Sequence, residues 1–394
     1  MYHNDKNGRM SLSDFIGFYI KLAKLVKQYK LLLIIIIEKD VYGRSKDMIT
    51  YAILANPGHN RVYFEASKKL SLAELEIACR RFSVKCSDFA LTDIEGVLYL
   101  TFNTEEPLSK EDLAWLSRLS FTYAIFELRK KGSEVVLIPI RKTASYYFND
   151  DLSTILKYTG KTNELFTRLM INVAVLSSDY YNTRDINLLD PVAGKGTTLF
   201  ESLIAGYNSY GIEINPNVVH EAAVYFKKYL ENGKYKHTLK KERMRGEGKS
   251  FTANFYKFEF AKSKEDFKTD KTLKLCMVAG DSRYSNRFFK KKMFHVIVGD
   301  LPYGIQHRNV SSQNQSSTTR NPKELLSYCL QSWIESLKTG GVIVLAWNKF
   351  VLSREEMVEI FSRYNLDVLN DGPYTDFEHR VDQAINRDII VAKK

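Results

Sequence analysis

Four apolar runs between residues 186 and 300 each stop on, or one residue past, an acid: "INLLD" (186–190), "SYGIEI" (209–214), "KLCMVAGD" (274–281) and "FHVIVGD" (294–300). Each has the length of a buried strand rather than of a helix. Helical patterns lie between them. "TTLFESLIAGY" follows the first run, "NPNVVHEAAVYFKKYLENG" the second, and "PKELLSYCLQSWIESLKTGG" leads from the fourth into "GVIVLAWN"; "LDVLND" and "RDIIVAKK" close the series. This alternation predicts an α/β fold, a mostly parallel, doubly wound, Rossmann-like sheet over 146–394. Ligands of such sheets bind at the carboxyl ends of the strands. One acid at such an end is most often a loop cap; four in succession read as one ligand site.

The first acid opens "DPVAGKGTT" (190–198). A P-loop would need glycine where Leu189 stands, and no residue between Lys195 and Thr197, where Gly196 stands. A dinucleotide fingerprint would need glycine at Leu199. Both phosphate readings fail. What remains is a carboxylate, Asp190, facing a ligand across Gly194 and Gly196, with Val192 and Thr197 in the same turn. That suits a cationic ligand, and S-adenosylmethionine carries an ammonium and a sulfonium but no phosphate. Glu213, with Ile214 beside it, sits where an acid accepts from ribose hydroxyls. Asp281 and Ser282 are placed to read an adenine amine. No metal site is expected.

The fourth acid begins "DLPYG" (300–304). An exocyclic amine on a nucleobase is a poor nucleophile, because its lone pair is delocalised into the ring. Asp300 and the carbonyl of Leu301 can each accept from that amine, orienting the lone pair and stabilising positive charge as it grows on nitrogen. Pro302 fixes the backbone, Tyr303 offers a ring for an extruded base, and Gly304 leaves room. His307 and Arg308 follow, in an exposed loop or in contact with phosphate. The polar stretch 308–321 reads as a lid.

Together "DPVAGKGTTLFES", "YGIEI", "GDSR", "DLPYG" and the upstream "YTGKTNELFTRLMINVA" (158–174) resemble the class I S-adenosylmethionine-dependent RNA methyltransferases of the THUMP-associated group, the tRNA guanosine-N2 enzymes above all. The resemblance implies methylation of a guanine N2 amine in RNA, tRNA in particular, and it admits a small activating protein as partner; the cysteine usage fits a reducing cytoplasm. It makes Thr167, on the upstream helix, a candidate cofactor contact. Leu301 stands where the group often has a first proline, and Asp rather than Asn at 300 favours guanine N2. Adenine N6 in ribosomal RNA or DNA is the alternative substrate; a catalytically silent RNA-binding module is the alternative of another class.

Residues 48–145 read as a smaller α+β domain, ferredoxin-like or THUMP-like and suited to RNA. "TYAILA", "RVYFEAS", the pair around Glu95-Gly96, "TYAIFELR" and "EVVLIPI" are expected strands. Helices are expected from Ser71, with Glu74 completing a capping box, and from Ser109. Residues 1–47 read as an extension, either an upstream start codon or an amphipathic helix around "FIGFYIKLAKLVKQY". Residues 232–272 read as an exposed insertion, basic and dotted with Phe and Tyr, either plainly solvated or a surface for single-stranded nucleic acid. Lys and Arg outnumber Asp and Glu by 58 to 46, a net +12, which favours a polyanionic partner. The four cysteines show neither zinc nor disulfide spacing. The longest apolar run, "LLLIIII", is far below the roughly 20 residues of a membrane span.

Overall fold

The computed structural model describes residues 48–56, 61–132, 134–155, 161–303 and 321–394. The expected extension 1–47, Gly304, His307, Arg308 and almost all of the expected lid lie outside them. Thr50–Lys394 form one compact unit containing two sheets.

The first sheet has β1 (Ile49–Ala55), β2 (Cys86–Ile94), β3 (Val97–Thr104), β4 (Thr122–Lys131) and β5 (Glu134–Ile140), in the spatial order β2-β3-β1-β4-β5. Helix α1 (Arg61–Cys79) lies between β1 and β2, and α2 (Lys110–Arg118) between β3 and β4. The first four strands with their two helices thus follow the βαββαβ order of ferredoxin-like folds, and β5 extends the edge by pairing with β4. The tight turn at Glu95-Gly96 has positive φ at both residues, 52° and 81°, as a two-residue hairpin demands. Ser109 caps α2, and Asp112 completes the capping box.

One expectation fails here. "RVYFEAS" is not a strand and Ser71 is not a cap, because both belong to the single helix α1. Leu70, Ala73, Ile77 and Ala78 recur at helical spacing and are buried. Glu74 is fully buried, and its carboxylate accepts from the Ser120 N–H (3.1 Å), the Ser120 hydroxyl (2.5 Å) and Asn172 Nδ2 (2.8 Å). The acid that resembled a cap therefore joins the first sheet's helix to the helix that precedes the second sheet.

The second sheet runs β13-β15-β12-β11-β6-β7-β10-β9-β8, with β14 (His379–Arg380) pairing β15. Its strands are β6 (Asn187–Asp190), β7 (Asn208–Glu213), β8 (Lys236–Arg245), β9 (Thr252–Ala261), β10 (Leu273–Ala279), β11 (Phe294–Asp300), β12 (Leu337–Asn348), β13 (Asp367–Val368) and β15 (Asn386–Lys393). β12, β11, β6, β7 and β10 are mutually parallel; β15 and β9 are antiparallel to their neighbours. Residues along β10 alternate between two cores. Leu275 and Met277 pack with α4 (Thr197–Ile204) and α5 (Pro216–Asn232), while Cys276 and Val278 share a core with Trp333 of α6 (Pro322–Ser336) and Phe361 of α7 (Arg354–Arg363). Helices on both faces make the sheet doubly wound.

The stretch 232–272 does lie between the second and third parallel strands, but it is not exposed throughout: Lys236–Arg245 and Thr252–Ala261 form the hairpin β8–β9, which extends the sheet beyond β10. Its Phe255, Phe258 and Phe260 are buried, the last two against Phe226 of α5 at ring separations of 5.2 and 5.3 Å. Those rings are therefore core and not a platform for bases; the lysines of β8 are the solvated part.

Candidate active site

The chain lays β6, β7 and β10 outward in one direction, then returns to place β11 and β12 on the other side of β6. The order of strands reverses between β6 and β11, and a crevice opens at such a reversal outside the carboxyl ends. Because β10, β7, β6 and β11 are adjacent and parallel, Asp281, Glu213, Asp190 and Asp300 all stand at one edge. Three strand spacings of about 4.8 Å spread them over about 14 Å, the scale of a nucleoside with a side chain.

Asp190 is buried. Its Oδ1 accepts from the Val192 N–H at 3.0 Å, and the Thr198 hydroxyl donates to the same carboxyl. Burial pushes this carboxyl up to about 7, and the nearby charges of Asp300 and Glu213 add to the effect. β11 passes close by: a side-chain carbon on Gly299 would lie 3.4 Å from Asp190 Oδ1. The loop that follows turns through positive φ at Gly194 (50°) and Gly196 (92°), and Gly196 precedes the first turn of α4, where Thr197 is buried. Its neighbour strand needs a glycine too. A side-chain carbon on Gly211 would meet Leu199 Cδ1 at 2.7 Å and Ala193 Cβ at 2.9 Å, so only glycine lets β7 pass beneath the loop.

Glu213 holds that loop from the side. Its Oε2 accepts from the Gly194 N–H (3.1 Å) and its Oε1 from the Asn215 N–H (2.8 Å). A carboxylate has about four acceptor positions, so each oxygen retains capacity for a ligand hydroxyl. Ile214 beside it is 38% exposed and offers apolar surface at the mouth; Val192 is half-buried against the core. Lys195 is turned to Glu221 of α5, 3.0 Å away.

Asp281 is engaged by Arg283 through its N–H (2.9 Å) and guanidinium (2.7 Å). Ser282 donates to the Pro191 carbonyl (2.7 Å) and accepts from Trp333 Nε1 (2.9 Å), so its hydroxyl braces α6 against the β6 loop. Thr167 is not at the crevice surface: it is fully buried in α3 (Glu164–Ser177) and its hydroxyl donates back to the Asn163 carbonyl at 3.1 Å. Its hydroxyl hydrogen is thus committed to its own helix.

At the β11 end, Leu301 is buried and its N–H donates to the Ala346 carbonyl (2.9 Å), which fixes the backbone beside Pro302. The Tyr303 hydroxyl lies 2.7 Å from both oxygens of Asp300 and donates to that carboxylate. Burial and the Asp300 charge hold this phenol well above its ordinary range, so it stays a donor.

Three further neighbours were not among the residues expected from the sequence. The Thr162 hydroxyl donates to Asp300 Oδ2 at 2.7 Å. The Arg387 guanidinium is buried 3.8 Å from the same oxygen, between the rings of Phe166 (4.5 Å) and Tyr303 (5.2 Å). His379, paired across β14–β15 with Arg387, is pushed down to about 4, chiefly by burial. Its Nδ1 bonds the Phe377 carbonyl, and its Nε2 finds no partner among the described residues. Among the described residues, no three of His, Cys, Asp and Glu are grouped to hold a metal.

No protein-family model matches the sequence, and no curated protein matches it. Solved structures similar to it include a TehB-like SAM-dependent methyltransferase from Corynebacterium glutamicum (14% identity over 55% of this chain and 84% of that one, TM-score 0.32). They also include TYW2 from P. horikoshii in complex with MeSAdo (12%, 68% and 70%, 0.32) and an rRNA methylase from Streptococcus thermophilus (8%, 56% and 91%, 0.26). At such scores none of the three bears on what this chain does; its own strand order and side chains do.

Proposed function

We propose that the chain is an S-adenosylmethionine-dependent methyltransferase acting on the exocyclic N2 amine of a guanosine in RNA, with tRNA as the favoured substrate class. The observation that carries the reading is that Asp300, with Tyr303 bonded to it, ends the strand next to that of Asp190, at the reversal point and at the same sheet edge as the glycine loop.

The residues fit that cofactor. A crevice lined by Asp190, Glu213, Asp281 and Asp300 in a chain of net charge +12 selects a cation locally. Its glycine loop has its lysine turned away to Glu221 and one N–H given to Glu213, an arrangement unlike a phosphate cradle. Asp190 and the loop would hold the amino-acid end, Glu213 the ribose hydroxyls, and Ile214 with Asp281 the adenine. Bound there, the cofactor supplies a methyl group already activated by its sulfonium. Among the described residues Asp300 Oδ1 accepts the Tyr303 hydroxyl alone, and a carboxylate oxygen can accept an amine N–H as well. The Leu301 carbonyl is the second acceptor. As the nitrogen attacks, Asp300 stabilises the positive charge that grows on it. The base stacks on the Tyr303 ring, which Asp300 and Arg387 hold in place.

The α+β region 48–145 is assigned to RNA docking and 146–394 to catalysis, in the cytoplasm. The test is direct. The protein is incubated with labelled cofactor and tRNA, and the RNA is digested to nucleosides. Label is expected in N2-methylguanosine. Label in adenine moves the substrate to the N6 amine. Absence of cofactor binding in calorimetry overturns the enzyme reading in favour of an RNA-binding module.

A further inference from the structure

β12 is parallel to β11, so its last residue, Asn348, emerges at the same edge as Asp300. Asn348 is buried and divides its side chain among four backbone groups. Its Nδ2 donates to the carbonyls of Tyr303 (3.3 Å) and Ala384 (3.0 Å); its Oδ1 accepts from the N–H groups of Phe350 (3.2 Å) and Asn386 (3.1 Å). One amide thus ties the Tyr303 backbone to the start of the next loop. That loop closes at once, because Val351 donates to the Asn348 carbonyl (3.0 Å) and Leu352 is buried with its carbonyl on Trp347 Nε1 (2.7 Å). Phe350, between these anchors, is forced outward. It is 57% exposed, and Val351 beside it 40%.

The phenyl ring is thus offered to solvent on a loop that hydrogen bonds tie to the Tyr303 backbone. The ring is also backed by charge. The Arg380 guanidinium lies 4.9 Å from its centroid and is itself held by the carbonyls of Asp382 and Gln383. A cation behind an aromatic ring, near the acceptor of an amine and in a chain of net charge +12, suits an unpaired nucleobase.

We propose that Phe350, backed by Arg380, is a stacking platform for an unpaired RNA base flanking the one that Asp300 and Tyr303 receive. The proposal rests on the RNA reading above and adds a second base-binding position to it. Stacking on the ring orders the RNA strand next to the extruded nucleotide, and Asn348 fixes the relation between the two positions.

The test titrates the wild type, Phe350→Ala and Phe350→Trp with a labelled short oligouridylate and with unfractionated tRNA over a range of salt, and measures cofactor affinity by calorimetry. Stacking is lost in the alanine variant, so both RNAs should bind it about tenfold more weakly or worse. The slope of log affinity against log salt should stay as in the wild type, because no phosphate contact is removed. Trp should restore binding and show fluorescence quenching by the RNA, and cofactor affinity should not move. Alanine binding within about twofold of wild type, a changed salt slope, or wild-type protein that binds neither RNA overturns the platform. Wild-type protein that binds RNA through Phe350 but takes no cofactor would instead overturn the methyltransferase reading alone.

Discussion

Asp300→Asn isolates the charge on the carboxylate while keeping its shape. The structure sets the size of the effect. An amine hydrogen-bonded to Asp300 would sit about 2.9 Å from an oxygen. At an effective dielectric of about 20, unit charges at that distance attract by about 6 kcal/mol. The amine is neutral at the start and carries roughly half a charge at the transition state, so about 3 kcal/mol is gained only as the reaction proceeds. At about 1.4 kcal/mol per decade, its loss lowers kcat by about a hundredfold. Asn retains an acceptor, and Thr162 and Tyr303 can turn their hydroxyls to it, so the local packing survives. Cofactor affinity should change by less than about threefold, because the lost interaction belongs to the transition state. Single-turnover transfer of a labelled methyl group to RNA gives the rate, calorimetry gives the affinity, and a thermal melt checks that Arg387, left without its anion, has not loosened the site. A rate within about tenfold of wild type would refute the assignment of Asp300, and so would a loss confined to cofactor binding.

Asp190 gives a pH signature. Its folded carboxyl titrates near 7 and its unfolded one near 3.9, so the folded state keeps a proton that the unfolded state releases. This contribution to stability is complete below about 4 and is lost as pH rises to about 7; Asp190→Asn should flatten that fall in denaturant titrations. Binding a cationic cofactor below pH 7 should release a proton from the wild type and none from Asp190→Asn, read by calorimetry in buffers of different ionisation enthalpy. Gly211→Ala should cost about 1–3 kcal/mol by overpacking and weaken cofactor binding, because its new carbon can be accommodated only by moving Leu199 or the Ala193 loop; equilibrium unfolding and calorimetry check both. Glu74→Ala strands the buried Ser120 N–H and Asn172 amide and should destabilise the chain by about 2–4 kcal/mol in urea unfolding.

The central sheet could be read from the sequence because strand-end acids and glycine turns are local signals with a topological meaning. The hairpin β8–β9 was not readable for a physical reason. Its alternation of Phe258 and Phe260 with charged residues looks the same whether those rings meet a helix or a base, and only the register against β10 brings Phe226 over them. Helix α1 misled differently. Val62, Tyr63 and Phe64 have strand composition, and Ser71 with Glu74 has capping-box spacing. The acid is claimed instead by Ser120, 46 residues away, and a capping box cannot be told from a buried tertiary acceptor by spacing alone.

The site divides along the same line. Asp190, Glu213, Asp281 and Asp300 follow their own strands, so the chain announces them. Thr162 meets Asp300 across 138 residues, and no motif encodes such a meeting. Arg387 left one clue. The last strand opens with two adjacent charges, Arg387 and Asp388, ahead of four apolar residues, "IIVA". Neighbours on a strand point to opposite faces, and both are buried here, so each must find a counter-charge on its own side. Asp388 finds Arg354 at 2.8 Å, and Arg387 faces Asp300 and Tyr303. The clue predicts that partners exist but cannot name them until the order of strands is known. The order supplies the answer through β12, which lies between β15 and β11 and allows the side chain of a strand two places away to reach the acid. The motif residues thus set what chemistry the crevice can attempt, and the sheet's order decides which cation steadies it.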